Sequence, residues 1–535
     1  MRRLSREARA AATLGRVVGP LALTPPHRFV RVVHAAVAGG PMAVPTAYSA
    51  AVSRNRPAVI DDLGVLTHHE LDVRVQAIAA GLHARGLEPG STLGVLCRNH
   101  RGFLEAVLAG IRLGCRIVLL NTDFSGPQLA DVCDREGVQL LIHDQEFEAA
   151  ASQCALPFGS VLAWAAAGTL FTTLDKLASS TGSAPRHTTP PSIVLLTSGT
   201  TGTPKGARRK GGDTRLSLQL PGGLLERIPF RARRTTYVAA PLFHAWGFGT
   251  AMATFALGGT IVVSREFSPA RIAESLERHR VDALVTVPIL LRRLVDGAEE
   301  DLRSRDLAVR IIATSGSALG IELAQHATAV FGPVLHNLYG STEVGYAAIA
   351  TPADLRQRPG TVGRAPLGTV VRILDGEGRV LPRGETGRVF VDSGAMFAGY
   401  TGGGSKEVID GMMSTGDLGH FDADGYLFVD GRADDMIVSG GENVFPREVE
   451  ELLLARDDVA DAVVVGVPDQ EYGQRLRAYV VTADGHAFDE ETLRDDVRRS
   501  LARYKVPREV LPLDEIPRNP AGKVLTRLLP DGQQA

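Results

Sequence analysis

The sequence predicts an α/β protein in two parts, a large layered region followed by a small α+β unit, and three observations carry that prediction. First, 535 residues exceed what one ordinary core accommodates, so at least two domains are expected. Second, short apolar runs at 117–120, 193–196, 261–263 and 389–391 alternate with stretches of helical period at 129–136 and 270–279, the signature of parallel α/β layers. Third, after Asp430-Gly431-Arg432 the pattern restarts as helix 444–454, strand 462–467, strand 478–481 and helix 491–502. The resulting division is an N-terminal extension 1–45, a large domain 46–430, a hinge 431–434 and a C-terminal domain 435–535. Two stretches, 202–223 and 399–404, are rich in glycine and read as irregular loops.

Composition narrows the function classes. Hydrophobic residues at 44% and charged residues at 22% describe a globular protein. The 58 basic and 60 acidic side chains leave a formal charge of −2, so no global field draws the chain to nucleic acid, and any anionic ligand must be held locally. Cys97, Cys115, Cys133 and Cys154 form no CxxC pair and read as free core thiols in a reducing compartment. No window reaches the 18 or so apolar residues of a membrane span, and a cytoplasmic protein is expected. Near the start, Arg2, Arg3, Arg6, Arg9 and Arg16 accompany one acid, Glu7, while Leu4, Ala8, Ala11 and Val18 recur at helical spacing. That is a weak basic amphipathic helix, read as a surface helix with loose contact to a membrane surface as the other reading. It lacks the apolar core of a signal peptide.

Ligands of α/β sheets gather where loops leave the carboxyl ends of strands, and the apolar run 193–196 leads directly into Thr197-Ser198-Gly199-Thr200-Thr201-Gly202-Thr203-Pro204-Lys205-Gly206. Glycines let backbone N–H groups approach phosphate oxygens, the hydroxyls add donors, and Lys205 adds a point charge. The order is not that of a Walker loop, because Pro204 precedes the lysine and Gly206 follows it.

This string resembles the signature of adenylate-forming enzymes, a superfamily that includes acyl-CoA synthetases, peptide-synthetase adenylation domains and luciferases. The resemblance implies a fold with a large N-terminal domain of layered α/β subdomains plus a small barrel, and a small mobile C-terminal domain. Further motifs follow in the family's order. Pro241-Leu242-Phe243-His244-Ala245-Trp246-Gly247 resembles the acyl-pocket segment, which implies pocket roles for His244, Trp246 and Gly247. Thr314-Ser315-Gly316-Ser317-Ala318-Leu319 resembles the loop that packs on adenine, although Ser317-Ala318-Leu319 stands where Gly-Ala-Pro is more usual. Tyr339-Gly340-Ser341-Thr342-Glu343 matches the motif in which the tyrosine lies near the base, the threonine meets the α-phosphate and the glutamate holds Mg²⁺. Ser414-Thr415-Gly416-Asp417-Leu418 implies that Asp417 accepts the ribose hydroxyls, with Arg432 adding a ribose or phosphate contact. Asp434 stands at the family's hinge, Gly440-Gly441 at its CoA channel, and Lys523, ending Pro517-Arg518-Asn519-Pro520-Ala521-Gly522-Lys523, at its catalytic lysine.

Lysine usage provides an independent check. Only six of the 58 basic residues are lysine, yet both positions where the motifs require one, Lys205 and Lys523, have it. A compact ammonium suits a single phosphoryl contact better than the planar fork of arginine.

The sequence therefore implies an AMP-forming ligase that uses ATP, Mg²⁺ and coenzyme A on a medium- or long-chain fatty acid. The alternatives are transfer to a carrier protein and an aryl acid as substrate. Nucleic acid is not expected as a partner, and a homodimer is compatible with the sequence.

Overall fold

The computed structural model describes residues 2–18, 42–166, 168–185, 189–197, 205–209, 219–401, 403–433, 437–439, 442–469, 473–501, 505–520 and 522–530. They form two compact units. The first comprises 1–314, 366–368 and 393–406, and the second comprises 315–365, 369–392 and 407–535.

The first unit contains two sheets. One is built from β1 (Pro57–Asp61), β2 (Gly64–Thr67), β9 (Thr235–Val238), β10 (Thr260–Val262), β11 (Ala283–Thr286) and β12 (Ile311–Thr314), in the order β12-β11-β9-β10-β1-β2. All its neighbours run parallel except the β1–β2 pair. The other uses β3 (Thr92–Leu96), β4 (Arg116–Leu119), β5 (Leu140–Asp144), β6 (Ser160–Trp164), β7 (Ser192–Thr197), β8 (Lys205–Arg209) and β17 (Phe397–Tyr400), in the order β17-β8-β7-β4-β3-β5-β6. β3 is wholly buried between parallel β4 and β5.

Local chemistry explains where the crossover helices begin and end. Helix Gly126–Glu136 opens with a reciprocal Ser125/Gln128 capping box and closes at Gly137 with φ 64°, a left-handed position that glycine adopts without strain. Helix Arg101–Leu113 starts at His100, whose ring accepts from the Gly102 N–H, and stops at Gly114 with φ 74°.

The N-terminal segment forms the expected helix, Arg2–Val18, and it is packed on protein. Ala10 is fully buried against Gly222 of helix Gln219–Arg227, where an added Cβ would lie 2.9 Å from the Ala10 Cα. Arg9 pairs with Glu226, and Gln219 donates to Glu7 at 2.6 Å.

In the second unit, β13 (Leu335–Ser341) and β14 (Gly345–Ala350) form an antiparallel hairpin. β15 (Thr369–Leu374), β16 (Gly387–Ser393), β18 (Val408–Ile409), β19 (Met412–Phe421) and β20 (Leu427–Arg432) form an antiparallel sheet. The described pairings run β15-β16-β19, with β18 and β20 sharing the far edge of β19, and isolated bridges continue from Leu427 of β20 to Gly363 and from Arg364 to Ile349 of β14. The C-terminal sheet has β21 (Ile437–Ser439), β22 (Glu442–Val444), β23 (Val459–Asp469), β24 (Gly473–Thr482) and β25 (Glu509–Pro512), covered by helices Pro446–Leu454 and Glu490–Ser500. Val449, Leu453, Val464, Ala478, Leu493 and Val497 form its core.

Three boundaries differ from the sequence reading. The helix expected from 444 begins at Pro446, because Glu442–Val444 pairs with β21 and proline is well placed at a helix's first turn. The loop expected at 399–404 begins inside β17, and the one expected at 202–223 contains β8 and the start of helix Gln219–Arg227. In both cases pairing with a distant strand overrode a glycine-rich composition.

Candidate active site

In the first unit, buried Val194, Leu195 and Leu196 carry β7 to Thr197, and the chain returns antiparallel as β8 with Thr197 opposite Lys205 and Leu196 opposite Gly206. The segment expected to hold phosphate is therefore framed by one strand pair, with Thr197 at its start and Lys205 at its end. Ser198, Gly199, Thr200, Thr201 and Gly202 lie outside the described residues, as do Asp434, Gly440 and Gly441.

The segment expected to line the acyl pocket lies at the start of helix Ala245–Ala256, with His244 at its N-cap. Gly247 packs directly on backbone, since an added Cβ would meet the Pro241 carbonyl oxygen at 2.3 Å. The Trp246 indole N–H donates to the Thr286 carbonyl at the end of β11, 3.0 Å away, which tethers the ring. The His244 ring lies 4.4 Å from that of Phe243. Burial lowers its pKa to about 4, so it is neutral at pH 7, and its buried Nε2 has no hydrogen-bond partner among the described residues.

The first unit also holds a group that sequence reasoning missed. Among the described residues, Cys97, His100 and Asp144 offer ligand atoms within 4.8 Å of one another. Each is already in use. His100 Nδ1 accepts from the Gly102 N–H at 3.1 Å, which places its proton on Nε2, and Nε2 donates to Asp144 Oδ1 at 2.8 Å. Asp144 Oδ2 accepts from the Arg98 N–H at 2.9 Å. Burial pushes the Cys97 thiol well above its usual range. This satisfied network ties the ends of β3 and β5 to a helix start, and it is structural.

In the second unit, Tyr339-Gly340-Ser341-Thr342-Glu343 forms the end of β13 and its turn. A Cβ on Gly340 would lie 2.0 Å from the Gly345 carbonyl oxygen, so only glycine lets the two strands approach. The Ser341 hydroxyl accepts from the N–H groups of Glu343 and Val344 at 3.2 and 3.3 Å, which fixes a three-residue tip presenting Thr342 and Glu343. Glu343 is 9% exposed. One carboxylate flanked by hydroxyls fits Mg²⁺, which keeps most of its positions for water and phosphate.

The Tyr339 hydroxyl donates to Asp417 Oδ2 at 2.5 Å, and Arg432 reaches Asp417 Oδ1 at 3.3 Å. Burial, reinforced by the Asp417 charge, pushes the Tyr339 hydroxyl well above its usual range, so it remains a donor. Asp417 and Arg432 are direct partners across β19 and β20. Gly416, with φ 84°, leaves the space that the guanidinium fills, 3.1 Å from where its Cβ would be. The expected nucleotide residues Tyr339, Asp417 and Arg432 are thus brought together. In the loop after β12, Gly316 takes φ 103° and is exposed with Ala318, while Ser317 is half-buried.

Lys523 closes a tight hairpin. The Asn519 N–H donates to the Lys523 carbonyl at 2.8 Å, and the Asn519 side chain accepts from the Lys523 N–H at 2.8 Å. Arg518 grips Asp461 of β23 at 2.8 Å and 3.0 Å and donates to the Gly522 carbonyl at 3.1 Å. Asn519 lies four residues from Lys523, within the same motif, whereas Asp461 lies 57 residues from Arg518 and nothing in the sequence points to it.

These elements define an adenylate-forming enzyme. The family model described as AMP-binding enzyme matches residues 47–401, and the AMP-binding enzyme C-terminal domain matches 448–523. The chain belongs to the AMP-binding enzyme family. It is 31% identical over 499 residues to a fatty acid–[acyl-carrier-protein] ligase of Streptomyces coeruleorubidus, covering 91% of this chain and 95% of that one. It is 33% identical over 466 residues to a feruloyl-CoA synthase of an Amycolatopsis species, covering 86% and 92%. The o-succinylbenzoate CoA synthetase of Bacillus subtilis, solved with its acyl-adenylate intermediate, superimposes with a TM-score of 0.80 at 26% identity, covering 92% and 98%. The same synthetase has been solved with ATP and a magnesium ion.

Proposed function

We propose that the chain is an AMP-forming acid:CoA ligase that converts a medium- or long-chain fatty acid to its acyl-adenylate and then to acyl-CoA. The observation that carries this reading is the joining of Tyr339, Asp417 and Arg432 beside a glycine-tightened turn bearing Thr342 and Glu343. A fatty carboxylate has a pKa of roughly 4.3, like a glutamate side chain, and is ionised at pH 7. It needs no general base, and the chemical difficulty is repulsion between it and the phosphates.

In the first step a carboxylate oxygen attacks the α-phosphorus, and pyrophosphate leaves. Lys523 neutralises the approaching carboxylate and α-phosphate, Thr342 donates to the α-phosphate, and the segment from Thr197 to Lys205 holds the departing pyrophosphate. Mg²⁺, held by Glu343, supplies further charge neutralisation when bound. In the second step a thiol sulfur attacks the acyl carbon, and AMP leaves. Rotation of 435–535 about Asp434 would exchange Lys523 for Gly440 and Gly441 at the reacting carbon. It would break the bond from Arg447 to the Val429 carbonyl, 3.2 Å in this conformation.

The small residues Gly249, Ala251 and Ala253 along helix Ala245–Ala256 favour an aliphatic chain, and the neutral His244 offers no positive charge to a second carboxylate. One observation favours a second reading. The unpartnered Nε2 of His244 suits an aryl acid with a hydrogen-bonding substituent, and a feruloyl-CoA synthase is among the relatives. Transfer to a carrier protein is the other alternative, supported by the Streptomyces relative. Pyrophosphate release measured over fatty and aryl acids, with and without CoA, tests all three. The proposal requires fatty acids to outrun aryl acids and thioester to form with free CoA. A preference for hydroxylated aryl acids supports the second reading and overturns the first.

A further inference from the structure

We infer that Thr401 and Glu136 are positioning residues for the phosphate segment, acting through Gly206 on the strand from which Lys205 rises; this rests on the reading of 197–205 as that segment. β8 is only five residues long and is held on one edge by β7 and on the other by β17, with Ala207 opposite Tyr400. Its start depends on one close contact. A Cβ on Gly206 would lie 2.7 Å from the Val194 side chain on one side and 2.7 Å from Thr401 Oγ1 on the other. The Thr401 N–H donates to the Gly206 carbonyl at 2.8 Å, and its hydroxyl donates to Glu136 Oε1 at 2.6 Å.

Glu136 is a built anchor. Its side chain is fully buried, and Arg116 donates to its carboxylate at 2.5 Å and to its backbone carbonyl at 2.7 Å. Arg135 reaches Oε1 at 3.2 Å. Burial pushes this carboxyl up, but the Thr401 hydroxyl and Arg116 outweigh burial and hold it below its usual range, so it stays an ionised acceptor. Arg116 opens β4, the neighbour of β7. The chain of contacts therefore runs from β4 through Glu136 and Thr401 to the residue following Lys205. Pyrophosphate departure requires the lysine at a fixed place, and a shift of about 1 Å is enough to matter.

The test separates the half-reactions. Thr401→Val keeps the side chain's shape and removes its hydroxyl. It is expected to raise KM for ATP or lower pyrophosphate exchange by about tenfold, while conversion of supplied acyl-AMP to thioester stays within about twofold of wild type. Thr401→Ser, which keeps the donor, is expected to restore exchange. Equal loss in both half-reactions, or unchanged exchange in Thr401→Val, would overturn the inference. If Thr401→Val does not fold, Glu136→Gln carries the same test, since it removes the charge on which the latch is anchored. Lys205→Ala is the control: if it leaves ATP use intact, the phosphate-segment reading has failed, independently of Thr401.

Discussion

The two motif lysines rise from differently built supports. Lys523 sits in a hairpin closed by a neighbour, Asn519, and anchored by one ion pair, Arg518–Asp461. Lys205 starts a strand clamped on both edges and latched through Thr401 to the carboxylate of Glu136, which is 265 residues from that threonine in sequence. The first support is local and belongs to the small C-terminal sheet, whereas the second is built into a large one. The contrast fits a division of labour in which one cation must come and go while the other keeps a fixed place on the phosphates.

The strongest test of that contrast is Lys523→Ala. Adenylate formation should fall about 10²- to 10³-fold, while thioester formation from supplied acyl-AMP persists; equal losses would erase the difference between the two lysines. Next is Arg518→Gln, which leaves Lys523 in place but frees its hairpin. We expect about a tenfold loss confined to adenylation, partly restored by Arg518→Lys. Asn519→Ala removes one short-range closure and should cost about fivefold in the same step, in line with one lost hydrogen bond of about 1 kcal/mol.

The smallest effect is one of pH. Glu450 accepts from the Val464 N–H at 2.8 Å, and burial raises its pKa to about 7, opposed by Val464 and by the charges of Arg518 and Arg447. Its folded pKa lies above its unfolded one, so the folded state holds the extra proton. That stability is present below the unfolded value and is lost as pH rises toward 7. Glu450→Gln should therefore match wild type near pH 4 and show a Tm about 2 °C higher at pH 8. Glu136, held ionised, should give no such crossover. A crossover of the same sign in Glu136→Gln would show that the two supports are not electrostatically distinct.

Local and distant supports were also unequally legible in the sequence. The segments at 197–206, 339–343, 414–418 and 517–523 could be read because their chemistry needs particular residues next to one another. The structure then gives reasons the sequence did not show, such as the Gly340 approach to Gly345 and the space Gly416 leaves for Arg432. Helices 129–136 and 270–279 were found from their helical apolar period, and the structure adds the caps at Ser125 and Ser268. What escaped was pairing between distant residues: β17 on β8, Glu136 with Thr401, Asp461 with Arg518, and Ala10 against Gly222. Neither hydrophobic period nor turn chemistry encodes such pairs. The fully satisfied Cys97–His100–Asp144 group shows the converse, since residues with the composition of a site serve there only to join two strand ends to a helix.

The central claim, attack of a carboxylate on the α-phosphorus of ATP, is tested most directly by isotope tracing. The acid is labelled with ¹⁸O in its carboxylate and turned over with ATP and CoA, and the products are weighed by mass spectrometry. Because the bridging oxygen of the acyl-adenylate comes from the acid and leaves with AMP, one ¹⁸O should appear in each AMP and none in pyrophosphate. Unlabelled AMP, or label in a pyrophosphate or phosphate product, would contradict the account.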